Sequence, residues 1–187
     1  MRWESLFDDL EAQLVADEQR DLESEVADRT RRERAQLGLQ ERLTALLDVG
    51  VVGVRIAGAG PTAGAVIVSG RVCGVGADWL LVEEREDRPA LVPFAAVRAV
   101  TGLRGAAPTG AVAKAFGLGA ALRAISRDRS VVELLDLDHL VMTGTIDAVG
   151  QDVFDLAEHP ADLPRRHEHV VAVRTVPFQA VALIRRR

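Results

Sequence analysis

The chain has 187 residues, a formal net charge of −5 and 48% hydrophobic residues, enough for a packed core, which excludes global disorder. The single cysteine, Cys73, cannot form an internal disulfide, and no apolar run approaches the roughly 18–20 residues that a membrane-spanning helix needs. We therefore expect a soluble, cytoplasmic protein with no membrane partner. Lys114 is the single lysine among 23 basic residues, which is typical of a GC-rich bacterial genome.

The first predicted domain, residues 1–38, is a long charged helix. Residues 3–36 contain neither proline nor glycine, and good helix formers dominate them. One helical face is apolar, with side chains at positions i, i+3, i+4, i+7 and i+11: Trp3, Leu6, Phe7, Leu10 and Leu14. This face is predicted to dock into a groove on a protein partner or to mediate self-association; the alternative is that it packs on the rest of the chain.

Charge is unevenly distributed along this segment. Residues 1–28 hold ten acidic residues against two arginines, a net charge of −8. Residues 29–42 hold five arginines against two glutamates, a net charge of +3. The acidic arm argues against a general electrostatic grip on nucleic acid, because that requires clustered cations.

Residues 39–103 form the second predicted domain. A short amphipathic helix ends near Gly50, and turn signals then separate runs that have the composition of β-strands. Those runs are VVGVRIAG (51–58), AVIVSGRVCGV (65–75), WLLVEE (79–84) and LVPFAAVRAV (91–100).

The segment RGAAPTG (104–110) is a predicted linker, and residues 111–187 form the last predicted domain. Its first part, 111–126, is apolar enough for a helix, and a strand at 131–137 follows. The same order of helix, strand, turn and long strand thus occurs twice.

The two units share residues as well as order. In one block Gly70, Val75, Gly76, Asp78 and Glu84 match Gly144, Val149, Gly150, Asp152 and Glu158. In another block Val92, Pro93, Phe94, Ala96 and Val97 match Val176, Pro177, Phe178, Ala180 and Val181. We interpret the pattern as an internal repeat, with glycines where a long strand bends and prolines at strand ends.

A helix, five short strands, a glycine bend in the second strand and VPF-x-A-V before the last strand together resemble the Sm-like fold and the wider SH3-like barrels. The resemblance covers residues 39–103 and 111–185. It implies a mainly β chain with helices, in which a long N-terminal helix precedes two tandem five-stranded barrels. Sm proteins contact RNA bases through an asparagine, and this chain contains none, so the resemblance implies the fold without the RNA-binding residues.

Trp79 and Leu81 lie on the strand face that is polar in the second copy, so they are extra hydrophobic residues on the outside of the first barrel. One interpretation is that the N-terminal helix or the other unit covers them. The other is that they form a partner-binding face.

No phosphate loop, dinucleotide fingerprint or nucleophile elbow occurs in the sequence. The pair His167 and His169 is a weak metal candidate, since a strand would place both imidazoles on one face and His159 or Asp155 could join them. Cys73 has no adjacent histidine to activate it. We therefore expect no enzyme, no cofactor and no metal.

The predicted function is a non-catalytic interaction or adaptor protein with a protein partner, and a homo-oligomer joined through outer strands or the helix is expected. The alternative is RNA binding through basic residues that touch phosphate. Those residues are Arg29, Arg31, Arg32, Arg34, Arg185, Arg186 and Arg187.

Overall fold

The structure is a computed structural model that describes residues 19–20, 22–32, 35, 37–56, 66–84, 88–103 and 116–187. Internal contacts divide the chain into two units, Met1–Gly38 and Leu39–Arg187. The second unit contains the β-sheet and both segments that carry the repeated sequence.

In the first unit, residues 22–32 are helical. Arg31 forms an ion pair with Asp28, one turn earlier on the same helix. Leu22 and Val26, also one turn apart, are 60% and 64% exposed. The predicted apolar face lies outside the described residues: Trp3, Leu6, Phe7, Leu10 and Leu14.

The first half of the second unit begins with helix α1 (Leu39–Thr44) and continues with five strands. These are β1 (Val51–Ile56), β2 (Ile67–Val75), β3 (Trp79–Glu83), β4 (Pro89–Pro93) and β5 (Val97–Thr101). The second half begins with helix α2 (Leu118–Asp128) and again continues with five strands. These are β6 (Val131–Asp136), β7 (Val141–Val149), β8 (Val153–Glu158), β9 (Ala172–Pro177) and β10 (Val181–Arg186).

The strands form one antiparallel sheet in the order β5-β1-β2-β3-β4-β10-β6-β7-β8-β9. The prediction of two tandem five-stranded barrels is therefore wrong. The halves are joined where β4 pairs with β10, with Leu91 opposite Ile184 and Ala90 opposite Arg185. Two separate five-stranded open sheets would each leave a row of unpaired backbone groups at β4 and β10, and the pairing of these strands satisfies those groups.

The prediction of a long N-terminal helix over residues 1–38 is also wrong. Helix α1 has six residues and α2 has eleven, and the described helical residues of the first unit are 19–20, 22–32 and 35. Residues 37–38 are not helical, and 1–18 lie outside the described residues. Glycine at position 38 costs about 1 kcal/mol relative to alanine inside a helix, which favours an end there.

The strand order repeats within the sheet. In each half the fifth strand comes first, followed by the first to the fourth: β5-β1-β2-β3-β4 in one half and β10-β6-β7-β8-β9 in the other. The register irregularities repeat too: the β2–β3 ladder shifts between Val72 and Gly74, and the β7–β8 ladder shifts between Ile146 and Ala148. A bulge of this kind bends its strand and increases the local twist, so the two long strands share the same irregularity.

The two glycines before these bulges allow close approach between strands. A Cβ atom on Gly70 would lie 2.0 Å from the carbonyl oxygen of Glu83, and one on Gly144 would lie 2.1 Å from that of Ala157. Because these neighbours are backbone atoms, no rotamer change could relieve the clash. This steric restriction explains why both repeats have glycine at this position.

The repeated VPF sequence closes each half in the same way. Phe94 and Phe178 each begin a short 3-10 turn after a strand that ends in proline. The backbone N–H of Phe94 donates to the carbonyl oxygen of Asp78, and that of Phe178 donates to Asp152, both at 2.8 Å. These bonds tie the last strand of each half to the β-hairpin of that half.

Two hydrophobic clusters form the core, and each draws residues from both halves. The first cluster is mostly from β1 to β4 but includes Leu135, Ala182 and Leu183 of the second half. The second is mostly from α2 and β6 to β10 but includes Trp79 and Leu91 of the first half. This exchange explains why the halves form one sheet, since separating them would expose both sets of side chains to water.

Candidate functional site

Trp79, a predicted partner-binding residue, is buried. Its side chain is 3% exposed, and its indole Nε1 donates a hydrogen bond to the carbonyl oxygen of Phe116 at 3.1 Å. The two aromatic rings lie 5.7 Å apart between centroids. The second half of the chain therefore covers this tryptophan, and it is not available to a partner at the surface.

The segment that covers Trp79 is anchored by its neighbour Asp78. The Asp78 carboxylate accepts a hydrogen bond from the backbone N–H of Leu118, the first residue of α2, at 2.7 Å. A carboxylate at this position satisfies a helix N–H group that has no partner within the helix and interacts favourably with the helix dipole.

Leu81, the other residue predicted on this face, is half-buried and lines an apolar cleft of about 250 Å³. The cleft lies between α2 and the strands around the β4–β10 junction. Its apolar lining is Leu81, Pro89, Leu91, Ala124, Ile125, Val132 and Ile184, and its polar lining is Asp128, Ser130 and Arg186.

A second cleft, of about 300 Å³, lies at the ends of the same strands and is lined entirely by charged residues: Glu84, Arg88, Glu133, Arg185, Arg186 and Arg187. Arg185 holds Glu84 with two hydrogen bonds, at 2.6 and 3.0 Å. The bond to Glu84 raises the pKa of Arg185 above its ordinary value, although burial opposes this. Arg187 donates to Glu133 at 2.6 Å.

The arginines predicted to contact RNA are thus partly neutralised by acidic neighbours. Glu84 and Glu133 pair with Arg185 and Arg187, and Arg186 lies 4.0 Å from a carboxylate oxygen of Asp128. In the first unit Arg31 pairs with Asp28, and Arg29, Arg31 and Arg32 are all exposed. Arg34 lies outside the described residues.

A third cleft, of about 650 Å³, is lined by Arg129, Val131, Thr145, Asp147, Pro164 and Arg165. Its charges are paired, since Arg129 donates to Asp147 at 3.2 Å and Arg165 donates to the same carboxylate at 3.0 Å. The carboxylate therefore has both guanidinium groups as partners.

Beside this cleft, His159 is only 3% exposed and is satisfied by two neighbours. Its Nδ1 lies 2.9 Å from the carbonyl oxygen of Pro160, which can only accept, so Nδ1 carries the proton. Its Nε2 then accepts from the hydroxyl of Thr145 at 2.8 Å. Sequence reasoning missed this pair, because only the pairing of neighbouring strands brings the two residues together.

His167 and His169, the weak metal candidates, lie in a 3-10 turn and not in a strand. Residues two apart in such a turn do not share a face, so the geometry that motivated the pairing is absent. His169 Nδ1 lies 2.9 Å from the carbonyl oxygen of Pro164. Within the described part of the chain, no group of three histidine, cysteine or acidic side chains is placed to hold a metal ion.

Cys73 is half-buried on β2, with its sulfur 3.9 Å from a carboxylate oxygen of Glu83. Burial raises the pKa of the thiol, and the Glu83 carboxylate raises it further. Both effects disfavour the thiolate, the form in which cysteine acts as a nucleophile.

The outer strands of the sheet are β5 and β9. Strand β5 pairs with β1 and strand β9 pairs with β8, and among the described residues neither has a strand on its other side. Most side chains of both strands are exposed, Val173 of β9 to 58%. Such edges present unpaired backbone groups to solvent.

Among the described residues, no helix combines the length and the apolar character needed to cross a lipid bilayer. The resemblance of the repeats to Sm-like and SH3-like barrels stays a prediction. No family model, curated protein or solved structure matches the chain.

Proposed function

We propose that this chain is a non-catalytic interaction protein that assembles with copies of itself through the two outer strands of its sheet. The observation that carries the proposal is the strand pairing at the centre of the sheet. There β4, the fourth strand of one repeat, pairs with β10, the fifth strand of the other. The outer strands β9 and β5 are the corresponding fourth and fifth strands, so copies could join by the same pairing.

The repeat also specifies the register of that pairing. Leu91 opposes Ile184 at the internal junction, and the equivalent positions are Thr175 and Val100. This pair is more polar than its internal counterpart, and Thr175 is exposed. Association between copies is therefore expected to be weaker than the internal junction and to depend on concentration.

The absence of a catalytic role is part of the same proposal. Two of the candidate groups argue against catalysis: the Thr145 hydroxyl is bonded to His159, and the pKa of the Cys73 thiol is raised. The predicted helix face remains a second contact for a protein partner or another copy: Trp3, Leu6, Phe7, Leu10 and Leu14.

Two substitutions at one position test the assembly. Thr175→Leu restores the apolar pair of the internal junction. Thr175→Lys places a charge on the outer strand. Asp155, which now accepts a hydrogen bond from Thr175, can balance that charge within the folded chain. Relative to the native chain, we expect the association constant to rise about 1.5- to 5-fold for the leucine variant. The lysine variant should lower it, because charged edges oppose strand pairing.

Sedimentation equilibrium over a wide range of concentration measures both variants beside the native protein. A native chain that is monomeric throughout, or variants that associate equally, contradicts the proposal. RNA that copurifies with the protein and dissociates as salt is raised would support the alternative function. That alternative has less support because Arg185 and Arg187 are paired with Glu84 and Glu133.

A further inference from the structure

The internal repeat places two equivalent glutamates, Glu84 and Glu158, where the third strand of each half ends. Both are largely covered, since their side chains are 21% and 17% exposed. A carboxylate that is mostly removed from water is costly unless a cation or a hydrogen-bond donor balances it. Each glutamate has an arginine as that partner, but the two arginines come from strands that are not equivalent.

At the internal junction the arginine comes from the other half of the sheet. Arg185 of β10 lies opposite Ala90 of β4 in the strand register. Its guanidinium crosses β4 and donates to both carboxylate oxygens of Glu84, at 2.6 and 3.0 Å. The side chain of Ala90 is short and leaves room for this crossing. The ion pair therefore links the two halves as well as neutralising the glutamate.

At the outer edge of the sheet the arginine comes from the edge strand itself. Arg174 of β9 occupies the position in the repeat that Ala90 occupies in β4. Its Nε donates to the carboxylate of Glu158 on the neighbouring strand β8, at 2.7 Å. This contact is directed toward β8 and not toward the free side of β9. The edge glutamate is therefore neutralised without a second copy of the chain.

On the other outer strand, β5, the residue equivalent to Arg185 is Thr101. Its hydroxyl donates to the carbonyl oxygen of Gly53 in the same sheet, at 3.2 Å. Neighbouring strands lie about 4.8 Å apart, so a threonine side chain is too short to cross one strand and reach a glutamate on the next. A β5 strand that pairs with β9 of another copy therefore brings no charged partner for Glu158.

From this comparison we infer that Arg174 limits the strength of association between copies. It neutralises Glu158 within each chain and so takes the place of the ion pair that links the two halves at the internal junction. A contact between β9 and β5 keeps the backbone pairing but lacks that link, which makes the assembly reversible. The inference rests on the proposed self-association and names the residue that regulates it.

Moving the arginine from β9 to β5 tests the inference. In the double variant Arg174→Ala/Thr101→Arg, Glu158 loses its own arginine, and the arginine introduced on β5 of another copy replaces it. Sedimentation equilibrium should give an association constant about tenfold above that of the native chain, the effect of one partly exposed charged pair. The thermal midpoint of the double variant should also rise with protein concentration, because association supplies the missing partner.

The single variants are the controls. Arg174→Ala should unfold at a lower temperature than the native chain, since Glu158 then lacks its arginine. Thr101→Arg should associate like the native chain, since Glu158 is already occupied. Glu158→Gln added to the double variant should abolish the gain in association. Where Arg174→Ala does not fold, Arg174→Gln, which keeps a neutral hydrogen-bond donor, takes its place in every comparison.

Association of the double variant that is no stronger than that of Thr101→Arg alone overturns the inference, and so does a gain that survives Glu158→Gln. A thermal midpoint that recovers independently of concentration also overturns it, because the introduced arginine would then act within one chain. A native chain that is monomeric throughout contradicts the proposed function alone, since the double variant still shows whether Arg174 limits the pairing of β9 with β5.

Discussion

Gly70 and Gly144 illustrate how one missing atom permits a strand to bend. At each position a Cβ would lie about 2 Å from a backbone carbonyl oxygen of the neighbouring strand. The internal repeat indicated from sequence that these glycines have a common role. The close contact that explains the role is a tertiary one, because it depends on where the neighbouring strand lies.

Substitution of Gly144 by alanine should destabilise the protein by about 1–3 kcal/mol, because the added methyl group must displace backbone. Gly150→Ala is the control, since its nearest neighbours lie 3.3 Å from the new atom. Urea unfolding of both variants measures the difference in the free energy of unfolding. Equal stability would show that the β7–β8 ladder can shift without cost.

The thiol of Cys73 should react slowly with a disulfide reagent. Burial and the Glu83 carboxylate raise its pKa, so at a given pH less thiolate is present than in an unfolded chain. The rate should therefore rise with pH through a midpoint above that of the unfolded protein. Glu83→Gln should lower the midpoint, and spectroscopic rate measurements from pH 7 to 10 test both statements. A midpoint at the unfolded value would contradict the assigned cause.

At the scale of elements, α2 is anchored by a residue from the other half of the sheet. The Asp78 carboxylate accepts from the N–H of Leu118, whereas Asp152, its equivalent in the repeat, makes no such side-chain bond among the described residues. In the internal repeat Asp78 and Asp152 occupy equivalent positions in a turn. Their side chains make different contacts because helix α2 begins beside the turn that contains Asp78.

Asp78→Ala should therefore cost about 0.5–2 kcal/mol, the usual effect of losing a helix cap, and Asp152→Ala should cost less. Thermal unfolding gives the change in stability. Amide hydrogen exchange then tests its location, because the loss should increase exchange in the first turn of α2. Similar effects of both substitutions would mean that the bond to Leu118 does not stabilise the helix.

At the scale of the whole molecule, the sheet of the second unit is expected to unfold as one cooperative body. Leu91 lies on β4 yet packs in the core of the second half, while Leu183 lies on β10 and packs in the core of the first. A substitution that destabilises either core should therefore lower the stability of both halves.

Leu91→Ala tests this coupling. We expect a loss of about 2–5 kcal/mol, as for other buried leucines, and a single unfolding transition seen alike by circular dichroism and by fluorescence. Hydrogen exchange should increase in β6 to β8 as well as in β4. Two separate transitions, or changes confined to the first half, would show that the repeats fold independently.

Local features could be predicted from the sequence because they depend on neighbouring residues. Strand runs near 51–56, 67–75 and 79–83, and the turn between the last two, follow from β-branched composition and glycine-rich breaks. The repeat aligned Phe94 with Phe178 before their equivalent hydrogen bonds could be seen. The sequence predicts a binding role for Leu81, which lines the apolar cleft, and for Arg185, Arg186 and Arg187, which line the charged cleft. It does not predict one for Ile125 or Ile184, which the apolar cleft also requires.

The sequence alone determined that the chain is rich in β-strands and contains a motif twice, because strand periodicity and turn residues depend on neighbouring positions in the chain. Only the tertiary structure decided that β4 joins β10, that Trp79 is covered, and that residues from α2 and from both halves of the sheet line one apolar cleft. Each of these depends on which strand edge satisfies which set of backbone groups, and on which half covers which apolar face. Such choices are made between segments far apart in the chain, where local sequence patterns carry no information about partners.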